Sequence, residues 1–292
     1  MVHHTTESAK PVDPALRRAS SPGGDDADAG RPFIVLEAAT VEYPGRGAQA
    51  PTRALDAVDL EVQAGEFVSL VGPSGCGKTT LLMAVAGLLE LTDGSVRIGG
   101  RQVVAPGPDR AVVFQEFALL PWRTVRRNVE FAFEGGELTR RQRRDRADEF
   151  LELVGLRDFA DHYPAQLSGG MRQRVGIARA LAIEPETLLM DEPFGALDAQ
   201  TKVVLGEELL RLWERDRQTV LFVTHDIDEA IFLSDRIAVM SRRPASVRCL
   251  IDIDLPRPRP HDIKTAPEFN EYRQQIWNLL HDEAAEASRE PN

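Results

Sequence analysis

Apolar residues follow two rhythms along the chain, short apolar runs and longer helical stripes, and their order sets out the expected architecture. Residues 33–43 form a β-rich run and residues 54–62 alternate apolar with polar, which reads as antiparallel strands at an edge of the fold. Residues 66–71 read as a buried strand, and residues 79–89 as a helix. A strand, a Gly99-Gly100 turn and a second strand follow over residues 92–103, then a short buried strand over 111–115 that ends on the amide of Gln115. From 119 to 182 the pattern turns helical: a short helix at 125–129, a long amphipathic segment at 139–154, a loop through Tyr163-Pro164 and a helical run at 173–182. Apolar strands at 187–192 and 219–226 flank a helix at 199–216, and the last strands lie at 237–241 and 247–253. Pro256-Arg257-Pro258-Arg259-Pro260 reads as extended linker, and residues 269–285 as a terminal helix. Roughly the first 30 residues, rich in Ser, Pro, Gly, Ala and Asp, show no periodicity and are expected to be disordered.

The strongest local signal is Gly72-Pro73-Ser74-Gly75-Cys76-Gly77-Lys78-Thr79, which fits G-x-x-x-x-G-K-[ST] at every fixed position and is followed by Thr80. It lies between the strand at 66–71 and the helix at 79–89, the setting a phosphate-binding loop requires. The glycines let successive N–H groups turn inward, and the helix N-terminus directs its partial positive charge at the same anion. Lys78 then reaches the β- and γ-phosphates and the Thr79 hydroxyl ligates Mg²⁺. A Gly-rich turn that merely ends a strand is the alternative, and an eight-residue match in this setting argues against it.

Other candidates stand at strand ends and Gly-rich turns. Gln115 ends its strand where ligands of open α/β sheets collect, against the alternative of a surface glutamine with no role. Ser168-Gly169-Gly170 precedes a helical run and is a second ready-made anion site, so the chain carries two phosphate-grasping loops. Asp191 and Glu192 end an apolar strand; such a pair alone is more often a helix cap or surface feature, but downstream of a phosphate loop Asp191 fits a Mg²⁺-holding role and Glu192 that of a base polarising the attacking water. His225, at the polar tip of its strand, either bonds a γ-phosphate or belongs to a Thr224-His225-Asp226 helix cap. Tyr43 closes its strand before Pro44-Gly45, so its ring faces a ligand or the core, and the pattern alone favours the core.

Composition changes this picture little: 292 residues, 42% hydrophobic and 28% charged, suit one large or two modest globular domains. The net charge of -11 argues against nucleic-acid binding, which usually shows as a basic domain or stripe. The basic run over residues 140–146 reads as a solvated helix face, with contact to lipid headgroups or a partner as the alternative. Cys76 and Cys249 make no disulfide or metal spacing, and His3 and His4 fall in the N-terminal tail. No run approaches the roughly 18 apolar residues of a membrane span, and the N-terminus lacks a signal-peptide core, so a cytoplasmic chain is expected.

The order of these motifs resembles the nucleotide-binding subunit of ATP-binding cassette (ABC) transporters over residues 33–253, with Leu167-Ser168-Gly169-Gly170 between the two phosphate-site motifs. The resemblance implies an α/β P-loop NTPase cassette with a mixed central sheet, an antiparallel β edge subdomain and an inserted α-helical subdomain. The divisions expected are a tail over 1–31, an ATPase domain over 32–255 with the insertion at about 117–182, and a linker and C-terminal helix over 256–292. It further implies that Tyr43 stacks on adenine, that residues 72–79 bind phosphate, and that Gln115 senses the γ-phosphate through Mg²⁺ or water. Ser168, Gly169 and Gly170 match the family's signature loop, Asp191 and Glu192 the Walker B aspartate and catalytic base, Asp198 the loop that communicates across the dimer, and His225 the switch histidine. In that family two subunits pack head to tail, each ATP lying between one chain's phosphate loop and the other's signature loop, which accounts for the two anion loops. Residues 191–198 and 225–230 look like bacterial importers, and residues 119–125 and 241–244 are similar to the nitrate, sulfonate and taurine uptake group.

Three functions compete. An importer ATPase implies ATP and Mg²⁺ as cofactors, a homodimer at the cytoplasmic face of the membrane, membrane permease subunits and, indirectly, an extracytoplasmic solute-binding protein, with no nucleic acid. A non-transport ATPase of DNA repair or the ribosome is the second; repair members carry a long coiled coil and ribosomal ones usually two cassettes, whereas one cassette with an ordinary insertion is read here. An exporter is weakened because many exporters fuse membrane helices to the cassette. The transported solute leaves no mark on this subunit.

Overall fold

The computed structural model describes residues 32–45 and 50–287; the expected disordered tail lies outside the described residues. In chain order the elements are β1 (Ile34–Tyr43), β2 (Thr52–Val62), β3 (Phe67–Val71), α1 (Lys78–Ala86), β4 (Asp93–Ile98), β5 (Arg101–Gln102), β6 (Arg110–Val113), α2 (Val125–Glu130), α3 (Arg140–Leu153) and α4 (Gly169–Ala182). They continue with β7 (Thr187–Asp191), α5 (Ala199–Asp216), β8 (Thr219–Val223), α6 (Ile227–Leu233), β9 (Arg236–Met240), β10 (Val247–Asp252) and α7 (Pro267–Ala287).

The strands form two sheets. One is antiparallel, in the order β2-β1-β4-β5. In β1 the buried positions switch from Ile34 and Leu36 to Ala39 and Val41, and the pairing with β2 shifts between Leu36 and Ala39. Ala38 there has φ 46°, the mark of a bulge that inserts one residue so that the apolar side stays inward on both sides of it. The other sheet is mixed, in the order β10-β9-β3-β8-β7-β6, parallel throughout except for β10 against β9. Every residue of β3, β7 and β8 is buried, as expected of parallel strands covered on both faces. Phe67 and Phe222 lie ring to ring on this sheet, and Trp213 of α5 meets Phe67 edge-on at 5.7 Å.

The register of the central sheet positions the site. Val113 of β6 sits opposite Met190, Asp191 of β7 opposite Val223, and Leu70 of β3 opposite Val223. Four parallel strands therefore end at one level, and the segments that leave them converge there.

Several boundaries differ from the pattern reading, each for a local reason. α1 stops at Ala86, because Gly87 takes φ 73° and its N–H and that of Leu88 fold back to the carbonyls of Ala84 and Met83. α4 starts at Gly169, since Ser168 accepts the Met171 N–H at 3.2 Å and caps the helix before both glycines. β6 ends at Val113, so Gln115 lies in a loop beyond the strand. The helical segment is anchored by Asn128, wholly buried, whose amide donates to the carbonyls of Leu120, Arg123 and Thr124 and accepts the Leu120 N–H at 2.8 Å. α3 runs within the expected 139–154, with a capping box between Thr139 and Gln142.

The Pro-Arg segment after β10 is extended and holds two inserted guanidiniums. Arg259, 4% exposed, donates to the carbonyls of Ile231, Phe232, Ser234 and Ile253 at 2.7–3.1 Å, completing the C-terminus of α6. Burial pulls its guanidinium down to about 10, so it remains protonated at neutral pH. Arg257 lies 4.3 Å over the Trp213 ring and bonds Asp235. Phe269 and Ile276 of α7 are fully buried in the same core. Replacing Arg259 by Leu leaves these carbonyls without their donor and is expected to lower the unfolding free energy by about 2–4 kcal/mol in urea titration. A change under about 0.5 kcal/mol would mean that water satisfies them instead.

Candidate active site

The loop over residues 72–77 leaves β3 and enters α1 through Gly77, whose φ of 127° and ψ of 8° suit only glycine. A Cβ there would also sit 3.1 Å from the Ala54 carbonyl oxygen. Cys76 is buried beneath the loop. α1 begins with no capping side chain and no acidic residue in its first turn, which leaves its leading N–H groups and the positive end of its dipole to an anion. Lys78, 6% exposed, curls back over the loop, and its ammonium donates to the carbonyls of Gly72 and Pro73 at 2.8 and 2.9 Å.

The acidic pair stands next to this loop. Asp191, 3% exposed at the end of β7, accepts the Thr79 hydroxyl at 3.1 Å. Burial raises its carboxyl above the usual range, opposed by the Thr79 hydrogen bond and the Lys78 charge and reinforced by the charge of Glu192. Glu192 itself has φ 45°, uncommon for a residue with a Cβ, and is held there by its N–H to the Val223 carbonyl at 2.9 Å and by its carbonyl accepting Gly195 N–H at 3.1 Å. That turn aims its carboxylate across the strand ends. Gln115 Nε2 donates to Glu192 Oε2 at 3.3 Å, and His225 Nδ1 lies 3.2 Å from the same oxygen.

Each candidate read from sequence has a definite place. Lys78, Thr79, Gln115, Asp191, Glu192 and His225 are joined in one cluster, with Gly72, Pro73, Ser74, Gly75, Cys76 and Gly77 as its rim. The helix cap at His225 is made by its neighbours, since Asp226 accepts the N–H groups of Asp228 and Glu229, while the imidazole turns toward Glu192. Tyr43 is not core: it is 40% exposed, and its hydroxyl lies 3.3 Å from Thr80 Oγ1 in the first turn of α1. Ser168, Gly169, Gly170 and Asp198 form a second group. A Cβ on Gly170 would fall 3.2 Å from Leu197 Cδ2, so the Asp198 turn packs against the start of α4. Asp198 caps α5 by accepting from the Thr201 hydroxyl and N–H, which holds its carboxyl below the usual range. Among the described residues no hydrogen bond or ion pair links Ser168 to residues 72–80. Two residues that bear on the site escaped the pattern reading, Lys202 and Glu229, because each reads as one more charge on a polar helix face.

Thr79, Asp191 and Gln115 offer hard oxygens of the kind Mg²⁺ takes, and among the described residues no group of three or more His, Cys, Asp or Glu forms a cation cage. Mg²⁺ is commonly held by few protein oxygens together with substrate phosphates, and Thr79, Asp191 and Gln115 offer oxygens of that kind.

A phosphate loop at the mouth of a parallel sheet, with an acid pair, an amide and an imidazole converging beside it, defines a P-loop nucleotide hydrolase of the cassette type. Residues 55–195 match the ABC transporter family. The chain is 48% identical over 257 residues to the bicarbonate transport ATP-binding protein CmpD of Synechocystis sp., covering 87% of this chain and 90% of that one. It is 47% identical over 243 residues to the nitrate import ATP-binding protein NrtC of Synechococcus elongatus, covering 82% of this chain and 36% of that longer one. Among solved structures it is similar to the dimeric post-hydrolysis state of the ATP-binding cassette MJ0796 bound to ADP and Pi, with TM-score 0.70, 36% identity and coverage of 76% and 99%. The chain belongs to the ABC transporter family as an ATP-binding subunit of the importer type, an ATPase. Among the described residues no helix is long and apolar enough to cross a membrane.

Replacing Lys78 by Ala removes the cation from a phosphate loop whose other donors are backbone N–H groups. The variant is expected to stay folded, to lose hydrolysis and to bind ATP at least about tenfold more weakly by isothermal titration. Near-normal ATPase activity in the folded variant would show that this loop does not hold the polyphosphate.

Proposed function

We propose that this ATPase powers the uptake of a small oxyanion, of the nitrate or bicarbonate kind, through separate membrane permease subunits fed by an extracytoplasmic solute-binding protein. The names of the relatives CmpD and NrtC support the solute class, and sulfonates such as taurine rest on sequence resemblance alone. The subunit sits peripherally on the cytoplasmic face of the membrane, and no nucleic acid takes part. Trp122, 71% exposed, follows the partly exposed Phe117, Leu119 and Leu120 in the loop after Gln115, and such a run of apolar surface supports a permease contact there. The working divisions are the tail over 1–31, the ATPase domain over 32–255 with its helical insertion, and the C-terminal segment over 256–292.

In this reading Tyr43 stacks on the adenine, and the loop from Gly72, through the N–H groups of residues 74–80 and with Lys78, holds the β- and γ-phosphates. Thr79, Asp191 and Gln115 hold Mg²⁺, which when bound neutralises phosphate charge. Glu192 accepts a proton from the attacking water, while Gln115 and His225 orient its carboxylate through Oε2. The observation that carries the reading is the convergence of Gln115 and His225 on one oxygen of Glu192, Oε2, in the residue that follows the Thr79–Asp191 pair. Ser168, Gly169, Gly170 and Asp198 serve the site of a second copy packed head to tail; the dimeric state of the similar MJ0796 cassette supports the second copy.

Glu192→Gln keeps size and hydrogen bonding and removes the base. Hydrolysis is expected to fall by roughly 10²–10⁴ while ATP still binds. The variant is then expected to accumulate as an ATP-bound dimer by light scattering, with ADP leaving it monomeric. A variant that hydrolyses ATP normally, or stays monomeric in saturating ATP and Mg²⁺, would overturn the base or the composite site. For the solute, a reconstituted transporter is expected to take up labelled nitrate or bicarbonate in an ATP-dependent manner that unlabelled taurine does not inhibit. Strong inhibition by taurine would shift the assignment to sulfonates.

A further inference from the structure

Behind the cluster, one carboxylate joins two of its loops. Glu229, in α6, accepts the Thr224 hydroxyl at 2.7 Å through Oε2 and the Lys202 ammonium at 3.1 Å through Oε1. Thr224 precedes His225, and its hydroxyl oxygen also accepts the Asp226 N–H at 3.0 Å, so both chain neighbours of His225 are tied to Glu229. Lys202 stands in the first turn of α5, where its own N–H donates to the Asp198 carbonyl at 2.9 Å. The Lys202 and Glu229 side chains are 25% and 13% exposed, so water competes weakly for the pair.

α6 is also held by the C-terminal segment. Arg273 of α7 grips Asp228 with two nitrogens at 2.6 and 2.9 Å, Lys264 lies 5.0 Å over the Phe232 ring, and Arg259 holds the last carbonyls. α6 is thus tied to the C-terminal segment through Asp228 and its last carbonyls, and through Glu229 to Thr224 and to the start of α5. Breaking such a network leaves a buried partner unsatisfied, so its members hold one another in place.

We propose that Lys202 and Glu229 are positioning residues that set His225 against Glu192 and make the place of His225 depend on that of the Asp198 turn. The proposal rests on the reading of His225 and Glu192 as groups that act in hydrolysis. The pair itself touches neither nucleotide nor reacting atoms; it acts through Thr224 and the peptide on either side of His225.

Steady-state ATPase kinetics on the full chain test this. Lys202→Met and Glu229→Gln are each expected to lower kcat roughly tenfold with the KM for ATP changed by less than about twofold, since a misplacement near the reacting groups costs rate more than affinity. Lys202→Arg should restore most of kcat, and the double variant should be no slower than the slower single one. In a His225→Ala background Lys202→Met should lower kcat no further. Should Glu229→Gln fail to fold, Lys202→Met and Lys202→Arg decide alone. An unchanged kcat in Lys202→Met, or a loss that multiplies with that of His225→Ala, would overturn the positioning role while leaving the site reading intact. Normal hydrolysis in His225→Ala would instead overturn the site reading itself.

Discussion

The parallel register of β3, β8, β7 and β6 is the constraint on which the rest depends. Because Leu70 and Asp191 both sit opposite Val223, and Val113 opposite Met190, the chain leaves all four strands at the same level. Parallel neighbours cannot be joined by tight turns, so each strand exit leads into a longer crossover, and the exits are where polar groups collect. The phosphate loop, Gln115, the Asp191–Glu192 pair and His225 each occupy one exit. A one-residue slip of β7 against β8 would turn Asp191 to the opposite face and separate the acid pair from the loop it serves. The three wholly buried strands resist such a slip, since their apolar side chains are packed on both faces.

That rigidity also supports local strain. Glu192 holds a left-handed backbone conformation that costs of order 1 kcal/mol for a residue with a Cβ, and Gly77 takes a conformation closed to any other residue. Both lie in the first residues beyond a buried strand or before a helix, where flanking hydrogen bonds over-determine the chain: Glu192 N–H to Val223, its carbonyl to Gly195, and Leu81 N–H to Gly77. The strain has a geometric result, since it turns the Glu192 carboxylate back across the sheet edge toward Gln115 and His225 instead of continuing the alternation of β7.

Much of this was legible in the sequence because it rests on short-range chemistry. The phosphate loop is specified by contiguous residues, the buried strands by their apolar runs, and the α5 cap by Asp198 directly before its helix. What escaped depends on contacts distant in sequence or on single backbone torsions. Gly87 ends α1 through a left-handed turn that the apolar stripe running on to Leu89 conceals. Ser168 starts α4 ahead of two glycines that composition assigns to a loop. Tyr43 sits on an alternating strand and reads as core, yet the strand's last residue passes beyond the core edge to Thr80. Arg259 is the clearest case: flanked by prolines in a polar stretch, it reads as linker, but its value lies in carbonyls 25–28 residues upstream that no periodicity reveals. The ion pair of Lys202 with Glu229 is hidden for the same reason.

The two groups of candidate residues also differ in what they have left to offer. In the phosphate loop, α1 lacks any capping side chain, so its N–H groups are donors awaiting an acceptor. Ser168, by contrast, already accepts the Met171 N–H, and a hydroxyl that accepts still has its own O–H to donate. Its engagement within α4 therefore fixes the oxygen's position without consuming the donor that a phosphate of a second copy would meet. Asp198 is an acceptor only, and both of its oxygens serve Thr201, so its part in the proposed dimer is to hold the start of α5 and, through Lys202, the loop of His225. A donor left over on one loop and a mechanical tie on the other are complementary in the proposed dimer: the first is placed to meet the neighbour's nucleotide, and the second is the tie by which the neighbour's arrival would reach this chain's own cluster.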